Sequence, residues 1–250
     1  MNYNWNWNIF WDMEPSGAMT YLDTLVAGAK WTLAVALSAW VLALMFGALI
    51  GVLRTLQDNR LAQAIGNAWV ELFRNIPLLV QMFLWFFVMP EFLPKEWGDQ
   101  LKNMPNAPFI TAVICLAFFT SSRVAVQITS GIQALPRGQR MAATALGMTT
   151  WQTYRHILLP MAGRIVLPPL TSEFMNIIKN SSVALTIGVI ELTAASRSMS
   201  EYTFQTFEAL SAATLIYVCI NICIVLLMRV LERTLAVPGF IGSKTQAGGH

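Results

Sequence analysis

The sequence predicts an all-α integral membrane protein with about five transmembrane helices. Three observations carry that expectation. Of 250 residues, 56% are hydrophobic and 12% charged, against roughly 25% charged in an ordinary soluble domain. Mean hydropathy is +0.55. Apolar stretches stand at about 26–53, 68–89, 109–128, 162–189 and 207–231, each with the roughly 20 residues that a hydrocarbon core about 30 Å thick requires. Five spans with short connections fill the chain and leave no room for a second soluble domain. The net charge of +3 comes from scattered Lys and Arg with no basic run, so it reads as a topology signal and not as a nucleic-acid surface.

Residues 1–20 carry no Lys or Arg and no short apolar core of a cleaved signal peptide, which leaves the first span as the insertion signal. Trp5, Trp7, Phe10 and Trp11 stand there instead; indole rings favour the headgroup zone, and Trp7 and Trp11 share a helical face, so this segment is expected to lie on the membrane surface. In the first span, Gly47 and Gly51 form a GxxxG that permits close helix approach. Cys115, Cys219 and Cys223 lie inside apolar stretches without any CxxC or Cys/His spacing and read as packing residues, with no metal site.

The separators are Gln57 to Arg60, Pro90 through Pro108, the Leu135-Pro136-Arg137-Gly138 turn, and Ser196 through Glu201. One alternate set of segments holds Arg54, Arg60, Arg137, Arg140, Arg155, Arg164, Arg229, Arg233 and Lys244, and the other only Lys95, Lys102 and Arg197. The positive-inside rule therefore predicts a periplasmic N-terminus and a cytoplasmic C-terminus. Residues 236–250 form a cytoplasmic tail. Its Gly239-to-Thr245 run is not a phosphate-binding loop, because Ser243 separates glycine from lysine and no strand precedes it.

An ionisable group at mid-bilayer costs about 3 kcal/mol, so those inside spans need partners or a wet cavity. Lys30 can snorkel. Glu71 and Arg74 are three apart and are expected to pair on one face, with a bend following at Pro77. In the fourth span Ser172, Glu173, Asn176, Lys179, Asn180 and Thr186 fall on one arc of about 140°, with Phe174, Met175, Ile178 and Leu185 opposite. Ser211, Thr214, Tyr217 and Asn221 share a face of the fifth span, where Tyr217 and Asn221 read as bonds between helices. Arg123 is followed by Gln127 one turn on. The arc around Lys179 reads as a lined pathway, since a bond between helices needs no charge, and its cationic excess suits a carboxylate-bearing solute. The candidate pathway residues are Glu173, Asn176, Lys179, Asn180 and Ser181, with Arg74 and Arg123 nearer the cytoplasm.

Residues 130–160 are too polar to cross. Gln139 to Leu146 reads as a short helix that Gly147 ends as a left-handed cap, and Thr149 with Gln152 opens a second helix that stops before Pro160. Such a small-residue hairpin suits docking into a groove on another protein.

The pattern Met141-Ala142-Ala143-x3-Gly147-x9-Ile157-x-Leu159-Pro160 resembles the EAA loop of ABC importer permeases at every marked position except the first, where Met141 stands for glutamate. Glu71 to Gln81, Ala134 to Gln139 and Lys179 to Ser182 resemble the polar amino acid branch of that family. The likeness spans about 20–235, and within the branch it is nearest glutamate/aspartate import permeases. The resemblance implies a MetI-like domain over 21–235, in which Met141, Ala142, Ala143, Gly147, Ile157, Leu159 and Pro160 couple to a partner ATPase. It also implies a second permease chain, homologous or identical, a periplasmic solute-binding protein, and a bacterial inner membrane. ATP and Mg²⁺ would be bound by the ATPase, leaving this chain non-catalytic and without a cofactor of its own. The rival readings are an ion- or proton-coupled secondary transporter, for which no inverted repeat is evident, and an intramembrane enzyme, for which His156 and His250 have no catalytic neighbour.

Overall fold

A computed structural model describes residues 3–235; the tail and its Gly239-to-Thr245 run lie outside them. Helix α1 spans Tyr21–Leu53, α2 Arg60–Asn75, α3 Leu78–Phe92, α4 Lys95–Asn103, α5 Ala107–Gln133, α6 Arg137–Ala145, α7 Thr150–Ile187, α8 Leu192–Thr203 and α9 Thr206–Leu235. Three of them, α1, α5 and α9, are long and apolar enough to cross a membrane unbroken. The pairs α2–α3 and α7–α8 reach five spans only as broken ones, bent by 102° and 53°.

Helix α1 opens on a capping box, Thr20 Oγ1 accepting the Asp23 amide and the Asp23 carboxylate accepting the Thr20 amide, which satisfies donors that a helix start leaves free. Its buried positions, among them Gly28, Thr32, Ala36, Ala43 and Gly47, recur at helical spacing and are mostly small. The GxxxG works as expected: a Cβ on Gly47 would sit 2.5 Å from the Val124 side chain, and one on Gly51 2.7 Å from Ile128. Thr129 Oγ1 adds a bond to the Gly51 carbonyl at 3.2 Å, so α1 and α5 meet backbone to backbone. On its other side α5 meets α7, where Gly131 lies against Val166 and the Ala162 carbonyl. The main core, including Ala39, Leu116, Ile177 and Ile178, fills the space among these three helices.

Several expectations are corrected. The stretch 68–89 is not a straight span: Ile76 and Pro77 are extended, with ψ of 129° and 138°, because the proline ring keeps its predecessor out of the helical region. The bend is closed by Gln81, 2% exposed, whose Nε2 donates to the carbonyls of Phe73 and Ile76, each at 2.9 Å. Glu71 and Arg74 do not pair; Glu71 accepts from Asn75 Nδ2 at 2.8 Å. Both are exposed, where an ion pair gains little.

The separator 90–108 contains an ordered helix, α4, and Ser196 to Glu201 are helical, within α8. The second helix of the hairpin does not stop before Pro160. A π turn at Tyr154–Leu158 precedes the proline, and the wider turn accommodates the missing donor. Cys115 is buried, but Cys219 and Cys223 are exposed on α9. The N-terminal segment forms only a short 3-10 turn, Trp7–Trp11. It is strapped to the bundle, with Ile9 among Leu25, Met199 and Ala209, while Trp7 and Trp11 remain exposed.

Candidate functional site

A cavity of about 810 Å³ lies between the distal part of α7 and one face of α9. Lys179 and Ser182 enter from α7, Thr193 from the first turn of α8, and Thr214, Tyr217, Asn221 and Arg229 from α9. Met175, Val218, Ile222, Val225 and Leu226 supply the apolar remainder. Thr214, Tyr217 and Asn221 share a face because three and four residues make about one turn. The two cations, Lys179 and Arg229, have no ion-pair partner among the described residues, and no carboxylate appears in the described lining.

The cavity is fixed at one end by a buried knot. Gly188, at φ +93°, ends the last 3-10 turn of α7, since a left-handed residue cannot continue it. Glu191 then caps α8, its carboxylate accepting the amides of Thr193 at 3.0 Å and Ala194 at 2.9 Å. The Tyr217 hydroxyl donates to Glu191 Oε2 at 2.8 Å and lies 3.0 Å from Thr193 Oγ1. Thr32 Oγ1, on α1, accepts the Leu192 amide at 3.1 Å. Glu191 is fully buried, and its carboxyl oxygens are held by these hydrogen bonds at the N-terminus of α8.

Tyr217 thus bonds between helices, as the sequence suggests, and also lines the cavity. Asn221 bonds within its own helix, to the Tyr217 carbonyl at 2.8 Å, and its buried Oδ1 has no partner among the described residues.

Of the residues singled out from sequence, Lys179 faces this cavity. Ser181 turns the other way, fully buried, and donates to the Ile178 carbonyl. Glu173 is 7% exposed, with Oε2 unpartnered among the described residues. Asn176 and Asn180 are half-buried beside the cavity's lining and outside it. Arg123 is exposed, over the Phe119 ring at 5.1 Å, and Arg74 is exposed on α2; neither reaches the cavity. Met175, expected on the apolar side, is on the lining. The helical arc assumed 100° per residue throughout, whereas the 3-10 turn from Ser181 advances about 120°, which displaces Thr186 from it. Glu191 went unnoticed in the sequence; its signal is a carboxylate two residues before Thr193, opening a helix directly after a glycine break.

At the opposite end of the bundle, α6 and the start of α7 form the expected hairpin. Gly147 has φ +75°, and the Gly147 and Met148 amides donate to the carbonyls of Thr144 and Ala143 at 3.0 and 3.1 Å, the pair of hydrogen bonds that closes a helix with a left-handed glycine. Thr149 and Gln152 form the predicted capping box. Ala143 is buried, whereas Met141, Leu146 and Trp151 are 69%, 80% and 67% exposed. Of the remaining motif positions, Ala142, Gly147 and Pro160 are exposed, and Ile157 and Leu159 are half-buried. The hairpin is tied to the α1–α2 connection by Tyr154, whose hydroxyl donates to the Thr55 carbonyl at 2.8 Å. The result is an apolar knob on a braced hairpin.

Residues 22–237 match the profile of the family described as "Binding-protein-dependent transport system inner membrane component". The glutamate/aspartate import permease protein GltJ of Escherichia coli K12 is 43% identical over 247 residues, covering 98% of this chain and all of that protein. A crystal structure of an amino acid ABC transporter with histidines superposes with a TM-score of 0.72 at 27% identity, over 86% of this chain and 95% of that one. The MetNI methionine ABC transporter shares the fold, with a TM-score of 0.70 at 18% identity over 86% and 98% of the two chains.

Proposed function

The chain belongs to the family of binding-protein-dependent transport system inner membrane components, and on that premise we propose that it carries glutamate and aspartate through the polar cavity between α7 and α9. It is a multi-pass permease subunit of an ATP-binding-cassette importer, and works with a separate ATPase subunit and a second permease. The secondary-transporter reading is set aside, because the family draws its energy from that ATPase. The carrying observation is the pairing of Lys179 and Arg229 across an 810 Å³ cavity with no carboxylate in its described lining. An acidic amino acid has two carboxylates and one ammonium group. Two cations meet the carboxylates, while Thr214, Tyr217 and Asn221 make the α9 wall polar for the ammonium group.

A periplasmic binding protein delivers the solute at the α8 end. ATP and Mg²⁺ stay on the ATPase, which grips the knob of Met141, Leu146 and Trp151 on the cytoplasmic side of a bacterial inner membrane. Support for this orientation comes from the excess of Lys and Arg at the hairpin end.

The test is uptake of labelled glutamate into liposomes carrying the complete importer. A hydrogen bond to a charged group is worth about 1.5–3 kcal/mol, so Lys179→Gln is expected to lower uptake by about tenfold or more while leaving assembly unchanged. Undiminished uptake in an assembled Lys179→Gln importer would remove the cavity from the pathway; uptake without ATP would remove the importer reading itself.

A further inference from the structure

A second cavity, of about 780 Å³, opens at the hairpin end among the last turn of α1, the α1–α2 connection, the last turn of α5 and the start of α6. Arg54, Arg137 and Arg140 line it together with Thr55, Gln57, Gln63 and Gln133, and Ile132, Leu135, Leu158 and the inner side of Met141 supply its apolar part. No carboxylate is present in its described lining, and none of the three guanidinium groups has an ion-pair partner among the described residues. Asp58 sits beside Arg140 in the adjoining smaller cavity. Arg54 is oriented by Asn67 Oδ1, which accepts from Nε at 2.9 Å, and lies 3.4 Å from Thr129 Oγ1. Arg140 is oriented by the Tyr154 hydroxyl at 3.2 Å, with its guanidinium 5.7 Å from that ring. A guanidinium has five donors, so each of these groups retains hydrogen-bonding capacity that the protein does not use.

We propose that this cavity binds a phosphate-bearing anion, and that the anion is the headgroup of an acidic phospholipid in the leaflet at the hairpin end. The fork of a guanidinium matches a phosphate oxygen pair, and basic pockets between membrane helices on the cytoplasmic side hold such headgroups. Depth agrees. Helices α1 and α5, with 33 and 27 residues, are about 50 and 40 Å long at 1.5 Å per residue. Both exceed the hydrocarbon core of about 30 Å, so the end that carries Arg54 and Ile132 lies at headgroup level. The mixed lining argues for a lipid over a free ion: an inorganic phosphate engages the guanidinium groups alone, whereas a phosphoglyceride also brings ester and hydroxyl oxygens to the Gln57, Gln63 and Gln133 amides and rests its glycerol carbons on Ile132, Leu135 and Leu158. This site is independent of which solute the α7–α9 cavity carries.

The experiment is native mass spectrometry of the full chain in mild detergent, titrated with phosphatidylglycerol or phosphatidylcholine. The expected result is one phosphatidylglycerol retained in preference to phosphatidylcholine. Retention should fall about tenfold in Arg137→Gln/Arg140→Gln, in line with the loss of charge-assisted bonds, and largely survive in Arg137→Lys/Arg140→Lys. The lysine pair guards against misfolding: it removes the same side chains and keeps their charge, so loss in the glutamine pair alone reports charge recognition. Equal retention of the two lipids, or unchanged retention in the glutamine pair, would overturn the proposal. Displacement of phosphatidylglycerol by millimolar inorganic phosphate would overturn the lipid and put a free anion in its place.

Discussion

Helices α5 and α9 are alike in sequence and opposite in packing. Their best windows have mean hydropathies of 1.9 and 2.4, yet 67% of the α5 window is buried inside the chain and 11% of the α9 window. Helix α5 is gripped on both sides by glycine contacts, from Gly47 and Gly51 of α1 and through its own Gly131 to α7. Helix α9 presents only a narrow strip, Ala209, Ala213, Ile224 and Met228, to the core. The rest of its attachment is polar. Glu208 holds Tyr3 and the Asn6 amide, Tyr217 holds Glu191, and Glu232 accepts from Thr171 Oγ1 at 3.1 Å. Hydropathy therefore names the solvent of a helix and not its neighbours. A helix tied by a few hydrogen bonds can shift against the bundle at lower cost than one interlocked with two others. Helix α9 is the cavity wall suited to move, and its outer face, with Leu215, Leu227 and Val230 exposed, is left for lipid or the second permease.

Substitutions can break this contrast, and the largest effect is expected in the α1–α5 seam. Gly47→Leu drives a side chain into Val124 and should cost about 3 kcal/mol, visible as a lowered melting midpoint in detergent; a midpoint unchanged from wild type would mean that the seam is looser than a 2.5 Å approach implies. Next comes the knot that ties α9 to α8. Glu191→Ala frees two helix-end amides and the Tyr217 hydroxyl together, and should cost about 2 kcal/mol, read by the same melting experiment. Tyr217→Phe removes one of those bonds and should cost about 1 kcal/mol, with faster hydrogen exchange along α9 than along α5. Smallest is Leu227→Ala. On the outer side of α9 it should move the midpoint of the isolated chain by less than about 0.5 kcal/mol, while weakening retention of the second permease if that chain covers the face.

Much of the hairpin could be read before any fold was known. Gly147 and the Thr149/Gln152 pair act within one turn of chain, and their local chemistry leaves few alternatives. The GxxxG of α1 was legible for the same reason, although the partner helix was not. The breaks were harder. Pro77 announces a bend, but its size depends on Gln81 reaching back to two carbonyls. Pro160 announces a stop, which the π turn before it cancels. In the cavity, Lys179 was singled out from a charge where none is needed, and Tyr217 and Asn221 from a shared face. Glu191 was missed because it sits at the edge of an apolar run, and its partners come from α1, α8 and α9.

Composition and periodicity by themselves determined that the chain lives in a membrane, that it is helical, and where its hairpin turns, because lipid solvation and local capping are properties of short windows. Which helices interlock, which polar groups meet at one cavity, and which cations gather at the other were decided only by the tertiary structure. Those are distances between residues such as Thr32, Glu191 and Tyr217, far apart in sequence, and no spacing along the chain encodes them.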